Sequence, residues 1–234
     1  MPGSYMLGLD LGQTKDFTAL AVLECQAPET GTEKPDYALR HLRRFPLGTP
    51  YTEIVPAVAA LVRSGPLAES PVVVDHTGVG RAVVDMMRQS AGWIVPVTIT
   101  GGHAVTVTED CTFHVPKKEL VTCLQVVLQG RRLRIARGLH EADVLVRELQ
   151  QFQVKITQAA NETFGVWREG QHDDLVLAVA LACWWAERCP PPGEGAFGGG
   201  GESLLANPPT RYGIFSASRW ARPTPPSCKA SSRC

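Results

Sequence analysis

Over residues 1–188 the apolar positions recur with two different periods, and the switches between them mark the elements. Residues 5–11 and 17–25 read as strands joined by the polar turn Gly12-Gln13-Thr14-Lys15-Asp16, and residues 36–45 as a third strand ended by Pro46. A helix is expected at about 52–64, where Ile54, Val58, Leu61 and Val62 form a stripe closed by Ser64-Gly65-Pro66. Pro71-Val72-Val73-Val74 is short, continuous and β-branched, the pattern of a central strand buried on both faces. A glycine-containing turn, a helix near 80–90 and a strand around 93–99 follow. Pro116 stands where a helix should begin, with Leu120, Cys123, Leu124, Val127 and Leu128 as its stripe. Ala142, Leu145, Leu149 and Phe152 repeat that spacing in the next helix. Residues 153–168 read as a β-hairpin around Ala159-Ala160-Asn161-Glu162, and an almost wholly apolar helix runs from about 173 to 187. Three strands in succession, then strands alternating with helices, predict a mixed α/β sheet covered on both faces.

Composition divides the chain near residue 189. The last 46 residues contain 8 Pro, 7 Gly and 6 Ser, too many for a packed unit, so 189–234 is expected to be a flexible tail beside a 1–188 domain. Hydrophobic residues make up 44% of the chain, enough for a core, and no apolar run approaches the ~18 residues of a membrane span. No membrane partner is therefore expected. The seven cysteines are scattered without a Cys-x-x-Cys pair, and several lie in apolar runs, as reduced thiols in a cytoplasmic protein would. The net charge is zero, with residues 1–188 at 18 basic to 21 acidic and the tail at 5 to 2. Such a balance excludes a global electrostatic footprint for nucleic acid, which would have to be held by a local patch. Lys117, Lys118, Arg131, Arg132, Arg134 and Arg137 oppose only Glu119 across 117–137 and are the candidates for one, the alternative being an ordinary solvated face.

Three acidic positions interrupt elements that otherwise read as buried. Asp10 lies in Leu7-Gly8-Leu9-Asp10-Leu11-Gly12, where alternation puts it on one face with two glycines that leave room for an approach. Asp75 ends the Val72-Val73-Val74 run and precedes His76-Thr77-Gly78-Val79-Gly80; ligands of α/β sheets gather at such strand ends. Asp173 and Asp174 follow His172 and precede the apolar helix, whose buried first turn would bring two repelling anions together unless a cation neutralises them. The bland readings are a turn aspartate, a helix cap and a helix-dipole partner. Carboxylates on separate elements, with no Cys/His cluster, suit a hard cation such as Mg²⁺ or Mn²⁺ and point towards phosphate chemistry. The chain has no Gly-x-Ser-x-Gly, His-Glu-x-x-His or phosphate-loop motif.

The order of these motifs resembles the RNase H-like nuclease domain of tailed-phage terminase large subunits. The stretch from Leu7 through Asp10 to Asp16 resembles its first strand and turn, and Val-Val-Val-Asp75-His-Thr-Gly its second acidic motif. Val115-Pro-Lys-Lys-Glu, Thr163-Phe-Gly-Val-Trp167 and His172-Asp-Asp-Leu-Val are also similar, so the likeness spans about 5–188. It implies an RNase H-like mixed sheet flanked by helices, with a β-hairpin before the last helix. It also implies a two-metal endonuclease that cuts double-stranded DNA during bacteriophage packaging, or its prophage remnant, in the host cytoplasm. By motif position Asp10, Asp75 and Asp174 would hold two Mg²⁺ or Mn²⁺ ions, with Asp173 assisting. Thr14, His76, His172 and Lys118 would stand around them, and Lys117, Lys118, Arg131, Arg132 and Arg134 would contact DNA. Terminase large subunits also carry an amino-terminal ATPase, whereas this chain starts at the nuclease-like strand, so a separate packaging ATPase, a small terminase subunit and a portal are the expected partners. Asp10-x-Gly-x-Thr14 is similar as well to the first phosphate loop of actin-like kinases and ATPases. A non-catalytic module that binds DNA or a packaging partner is the third reading.

Overall fold

The computed structural model describes residues 4–12, 16–26, 34–78, 81–136, 138–159 and 172–188, the last nine residues of 138–159 by backbone alone. Eight strands and five helices follow in the order β1 (Ser4–Asp10), β2 (Ala19–Gln26), β3 (Asp36–Arg44), α1 (Tyr51–Val62), β4 (Val72–Asp75), α2 (Arg81–Ser90), β5 (Ile94–Thr100), β6 (Thr106–Val107), β7 (Phe113–Pro116), α3 (Lys117–Gln129), β8 (Leu133–Ile135), α4 (Ala142–Ala159) and α5 (Asp174–Arg188). The strands form one sheet in the order β6-β7-β5-β4-β1-β2-β3-β8. β1, β2 and β3 make an antiparallel meander, while β4 pairs parallel to β1, β5 to β4, β7 to β5 and β8 to β3. This is the mixed sheet flanked by helices expected of an RNase H-like fold.

Alternation along the central strands builds two cores. Leu7, Leu9, Val72 and Val74 point to one face and are covered by Ile54, Val58, Val84 and Met87 of α1 and α2. Met6, Ala19, Ala21, Val73 and Val97 point to the other and pack with Leu120 and Leu124 of α3 and with α5. α5 is buried on every side from Asp174 to Ala186, as its unbroken apolar composition requires. Its seat is Gly8: a Cβ there would lie 1.9 Å from the Ala178 carbonyl oxygen and 3.0 Å from the Ala182 nitrogen. The missing side chain lets a helix backbone rest directly on the middle of β1.

Two expectations change. Residues 153–159 continue α4 instead of opening a hairpin, and 160–168, with Thr163–Trp167, lie outside the described residues. Leu145, Leu149, Phe152 and Ile156 keep one helical spacing, and each residue added to a formed helix gains a hydrogen bond without a new nucleation cost. β6, β7 and β8 span two to four residues, too short to show a period in the sequence. The tail expected at 189–234 lies outside the described residues. Among those described, no helix is long and apolar enough to cross a membrane.

Candidate active site

A single transverse row of the sheet organises the site. Asp10 ends β1 and stands in register with Asp75, which ends the parallel neighbour β4; on its other side Asp10 pairs with Ala19 of β2, and Ala19 with Arg44 at the end of β3. Members of such a row point to the same face, and adjacent strands are about 4.8 Å apart, so the two carboxyl groups emerge side by side. Both aspartates are only 7% exposed. The face they share is the one α5 covers. Asp174 begins that helix, one turn before the Ala178 that rests on Gly8, and Asp10 lies two residues beyond Gly8 on the same side of β1. The close approach at Gly8 therefore carries the start of the helix over the ends of the strands.

The electrostatics report the same convergence. Burial pushes the Asp10 carboxyl well above the ordinary carboxylate range, and Asp75, Asp174 and Asp173 push it further against the pull of Lys117. Asp75 is also raised by burial, but the Thr77 hydroxyl and backbone N–H, both donating to its Oδ1 at 2.5 and 2.9 Å, hold it back. The Thr77 hydroxyl oxygen in turn accepts from the Ile99 N–H at 2.8 Å, which fixes it to β5. Asp174 is pushed up to about 6 by burial, opposed first by Arg44.

The adjacent pair at the helix start separates into two environments. Asp173 faces the first turn of α3, where Lys117 Nζ donates to its Oδ2 at 3.1 Å. Asp174 is 4% exposed, with its Oδ2 3.4 Å from Arg44 Nη2 and 3.8 Å from His172 Nδ1. Among the described residues that oxygen is buried without a hydrogen bond. Phe17 stacks edge-on against His172 and lies under the Arg44 guanidinium, so the imidazole and the guanidinium share one aromatic support.

An all-carboxylate donor set that repels itself, with one buried oxygen lacking a hydrogen bond, fits a hard divalent cation in its chemistry. Among the described residues no three His, Cys, Asp or Glu side chains stand grouped as metal ligands; Asp75 is bonded to Thr77, Asp173 to Lys117, and Asp174 lies beside Arg44. Beside Asp75 a groove of about 530 Å³ opens, lined by His76, Arg81, Arg88, Thr98 and His114. His76 is half-buried with its charged form disfavoured by burial, and its ring lies 3.4 Å from the Thr98 hydroxyl.

The expected basic cluster does not stay together. Lys117 and Lys118 start α3 and Arg131–Arg134 follow its end, a separation of about 20 Å along 13 residues. Arg132 is withdrawn from solvent at 4% exposure and donates to both carboxylate oxygens of Glu187, at 2.6 and 3.0 Å; this removes it as a DNA contact. Arg134, on the edge strand β8, donates to the buried Asp36 of β3 at 3.1 Å. Arg131 is exposed at that end with a left-handed backbone, φ 55°, and Lys118 is exposed in the first turn of α3. Thr14 and Arg137 lie outside the described residues.

Sequence reasoning missed Arg44, Glu148, Thr77 and Tyr51. The Tyr51 hydroxyl donates to the Gly12 carbonyl at 2.7 Å, two residues after Asp10. Glu148 carried a legible signal, being a carboxylate three residues after Leu145 on the stripe assigned to the core. It is 6% exposed and pushed up to about 7 by burial, against the pull of Arg44.

No protein-family model matches this chain, and no curated protein does. Among solved structures it is similar to the large terminase nuclease of thermophilic phage G20c, with 19% identity over 77% of this chain and 81% of that one and a TM-score of 0.49. The Mn-soaked human cytomegalovirus terminase nuclease domain is 12% identical over 78% of this chain and 83% of its own, with a TM-score of 0.47. The nuclease domain of the g2p large terminase of bacteriophage SPP1, with bound Mn, is 10% identical over 80% and 87%, with a TM-score of 0.44.

Proposed function

We propose that this chain is an endonuclease that hydrolyses phosphodiester bonds of double-stranded DNA, with Asp10, Asp75 and Asp174 as ligands for two Mg²⁺ or Mn²⁺ ions. The observation that carries the reading is the register: two buried aspartates end adjacent parallel strands, and a third begins the helix lying across them. Neighbouring carboxylates on separate elements raise the proton affinity of the buried Asp10, a repulsion that added divalent charge would relieve.

Divalent ions held by Asp10, Asp75 and Asp174 would supply Lewis acidity and would lower the pKa of water enough to give a nucleophile at neutral pH. The chain's own groups bind and orient. Thr77 holds Asp75 in one rotamer through its hydroxyl and N–H. Lys117 draws Asp173 aside, which leaves Asp174 facing the cluster and gives Asp173 an assisting, electrostatic part. Lys118, exposed beside Lys117 in the first turn of α3, would meet a phosphate, and His172 and His76 adjoin Asp173 and Asp75 in the chain. The groove along His76, Arg81 and Arg88 supports a path for the DNA strand away from Asp75. Motif order supports viral DNA packaging as the setting, with a packaging ATPase, a small terminase subunit and a portal as partners and the host cytoplasm as the place.

Supercoiled plasmid incubated with purified protein and Mn²⁺ tests the reading. Nicked and linear products should form, and Asp75→Ala and Asp10→Asn should slow them by about 100-fold or more, as loss of charge stabilisation at a transition state does. Plasmid bound but uncut under both Mg²⁺ and Mn²⁺ would favour the DNA-binding module, and ATP turnover without cleavage the actin-like reading.

A further inference from the structure

Arg44 and Glu148 form a partly buried charge pair that the hydrolytic chemistry does not call for. Arg44 ends β3 in the same transverse row as Asp10, two strands away and separated from it by Ala19 alone. That methyl side chain leaves the arginine free to extend over the sheet towards the start of α5. There its Nη2 donates to Glu148 Oε1 and lies 3.4 Å from Asp174 Oδ2, while the guanidinium rests on Phe17 at 4.8 Å. The second Glu148 oxygen accepts the Val176 N–H at 3.3 Å, so this α4 carboxylate also satisfies the open first turn of α5. One cation is thus shared by two carboxylates, fastened by hydrogen bond to Glu148 and only loosely to Asp174. Its Nε and the Asp174 Oδ2 are both buried without a hydrogen bond among the described residues. A guanidinium so held supplies positive charge where a metal ion would, but leaves the Asp174 oxygen open.

We propose that Arg44, fastened by Glu148, is a built-in counter-ion of the carboxylate cluster: a positioning residue that holds Asp174 in the absence of a divalent ion and competes with that ion for its Oδ2 atom. The assignment rests on the metal-binding reading above and goes beyond it by naming what balances the site when it is empty. Glu148 acts through Arg44, by keeping the guanidinium from closing fully onto Asp174. The two substitutions therefore have opposite signs. Removing the arginine removes a repelling charge within a few ångströms of the ion, and removing its anchor lets the arginine close on Asp174.

Mn²⁺ binding to the metal-stripped full chain, measured by calorimetry without DNA, decides the matter. Arg44→Gln should tighten Mn²⁺ binding by about tenfold or more, the scale of one unit charge at this range in a partly buried site. Glu148→Gln should weaken it, and in the Arg44→Gln background the Glu148 substitution should have less than about a third of its effect alone. A purely structural pair would lower the thermal midpoint in both variants and leave Mn²⁺ affinity where it was, which would overturn the assignment. So would equal Glu148→Gln effects in the two backgrounds. Should Arg44→Gln not fold, Glu148→Gln alone decides, because unchanged or tighter Mn²⁺ binding contradicts the proposal. Absence of Mn²⁺ binding by the unaltered chain overturns the metal reading and this assignment with it; binding that neither substitution moves overturns the assignment alone.

Discussion

Asp173 and Asp174 are adjacent in sequence but differ in what holds them. Lys117 donates to Asp173, while Asp174 faces Arg44 and His172 with one buried oxygen uncommitted. Asp174→Asn should therefore abolish plasmid cleavage, whereas Asp173→Asn should leave at least a tenth of the rate, in keeping with a charge one shell further out. Equal loss in a side-by-side nicking assay would remove the distinction. Thr77 offers a second residue-level test. Its hydroxyl fixes Asp75 and is itself fixed by Ile99, so Thr77→Val should slow cleavage about tenfold, and Thr77→Ser, which keeps the donor, should restore most of it. Comparable rates for the valine and serine variants would show that the hydroxyl is not what orients Asp75. The aspartates drew notice in the sequence because each is a carboxylate interrupting an apolar run, although each also had a bland reading as a turn, cap or helix-dipole residue. Thr77 and Arg44 were not, since a threonine in a glycine turn and an arginine at a strand end are ordinary until the partner across the sheet is known.

Elements with their own period were read correctly, and those borrowing stability from neighbours were not. β1, β4 and α5 bury one face or all faces, so composition betrays them; β6 and β8 are short edge strands defined by hydrogen bonds to β7 and β3. The 153–159 segment shows the opposite failure. Its β-branched Val154, Ile156 and Thr157 favour a strand weakly, and an established helix outweighs that preference. The basic run at 117–137 misled in another way, since a helix of 13 residues sets its two ends far apart. The contact between Gly8 and α5 carries the prediction at this scale. A methyl group at residue 8 would stand 1.9 Å from the Ala178 carbonyl, so Gly8→Ala must push the helix off the strand. Overpacking of this kind costs about 1–3 kcal/mol, occasionally more, and for a chain of this size each kcal/mol is about 2–4 °C in thermal midpoint. Gly101→Ala, with no atom within 4 Å of the added carbon, is the control and should melt with the unaltered protein. Since α5 delivers Asp174, the Gly8 variant should also lose cleavage below its melting point.

Across the whole molecule, gathering carboxylates at one end of the sheet ties stability to pH in an unusual sense. Burial raises Asp10 and Asp75, takes Asp174 to about 6 and Glu148 to about 7, from ordinary values of 3.8 and 4.5. Between the ordinary and raised values the folded chain keeps protons that the unfolded chain has released. Stability changes with pH as the protons bound unfolded minus those bound folded, so its slope here is negative. The contribution is full below the ordinary carboxylate range and is lost as pH climbs to about 7. Glu24 and Glu187 are shifted downward, Glu187 by Arg132 and Tyr37, and act in the opposite sense only at lower pH. His41 and His76, whose charged forms burial disfavours, gain stability as pH rises through 6.5, but they are two half-buried groups against four buried acids. The acids dominate. Without divalent ions the thermal midpoint should therefore fall as pH is raised from about 5 to 7.5, where most proteins level off. Asp10→Asn, which keeps the shape and removes one of the raised carboxyl groups, should flatten that decline, and Mn²⁺ should reverse part of it by binding the folded carboxylates. Melting curves in EDTA across this range check the sign, and a midpoint that rises with pH in both proteins would mean that the carboxylates do not repel one another in the folded chain.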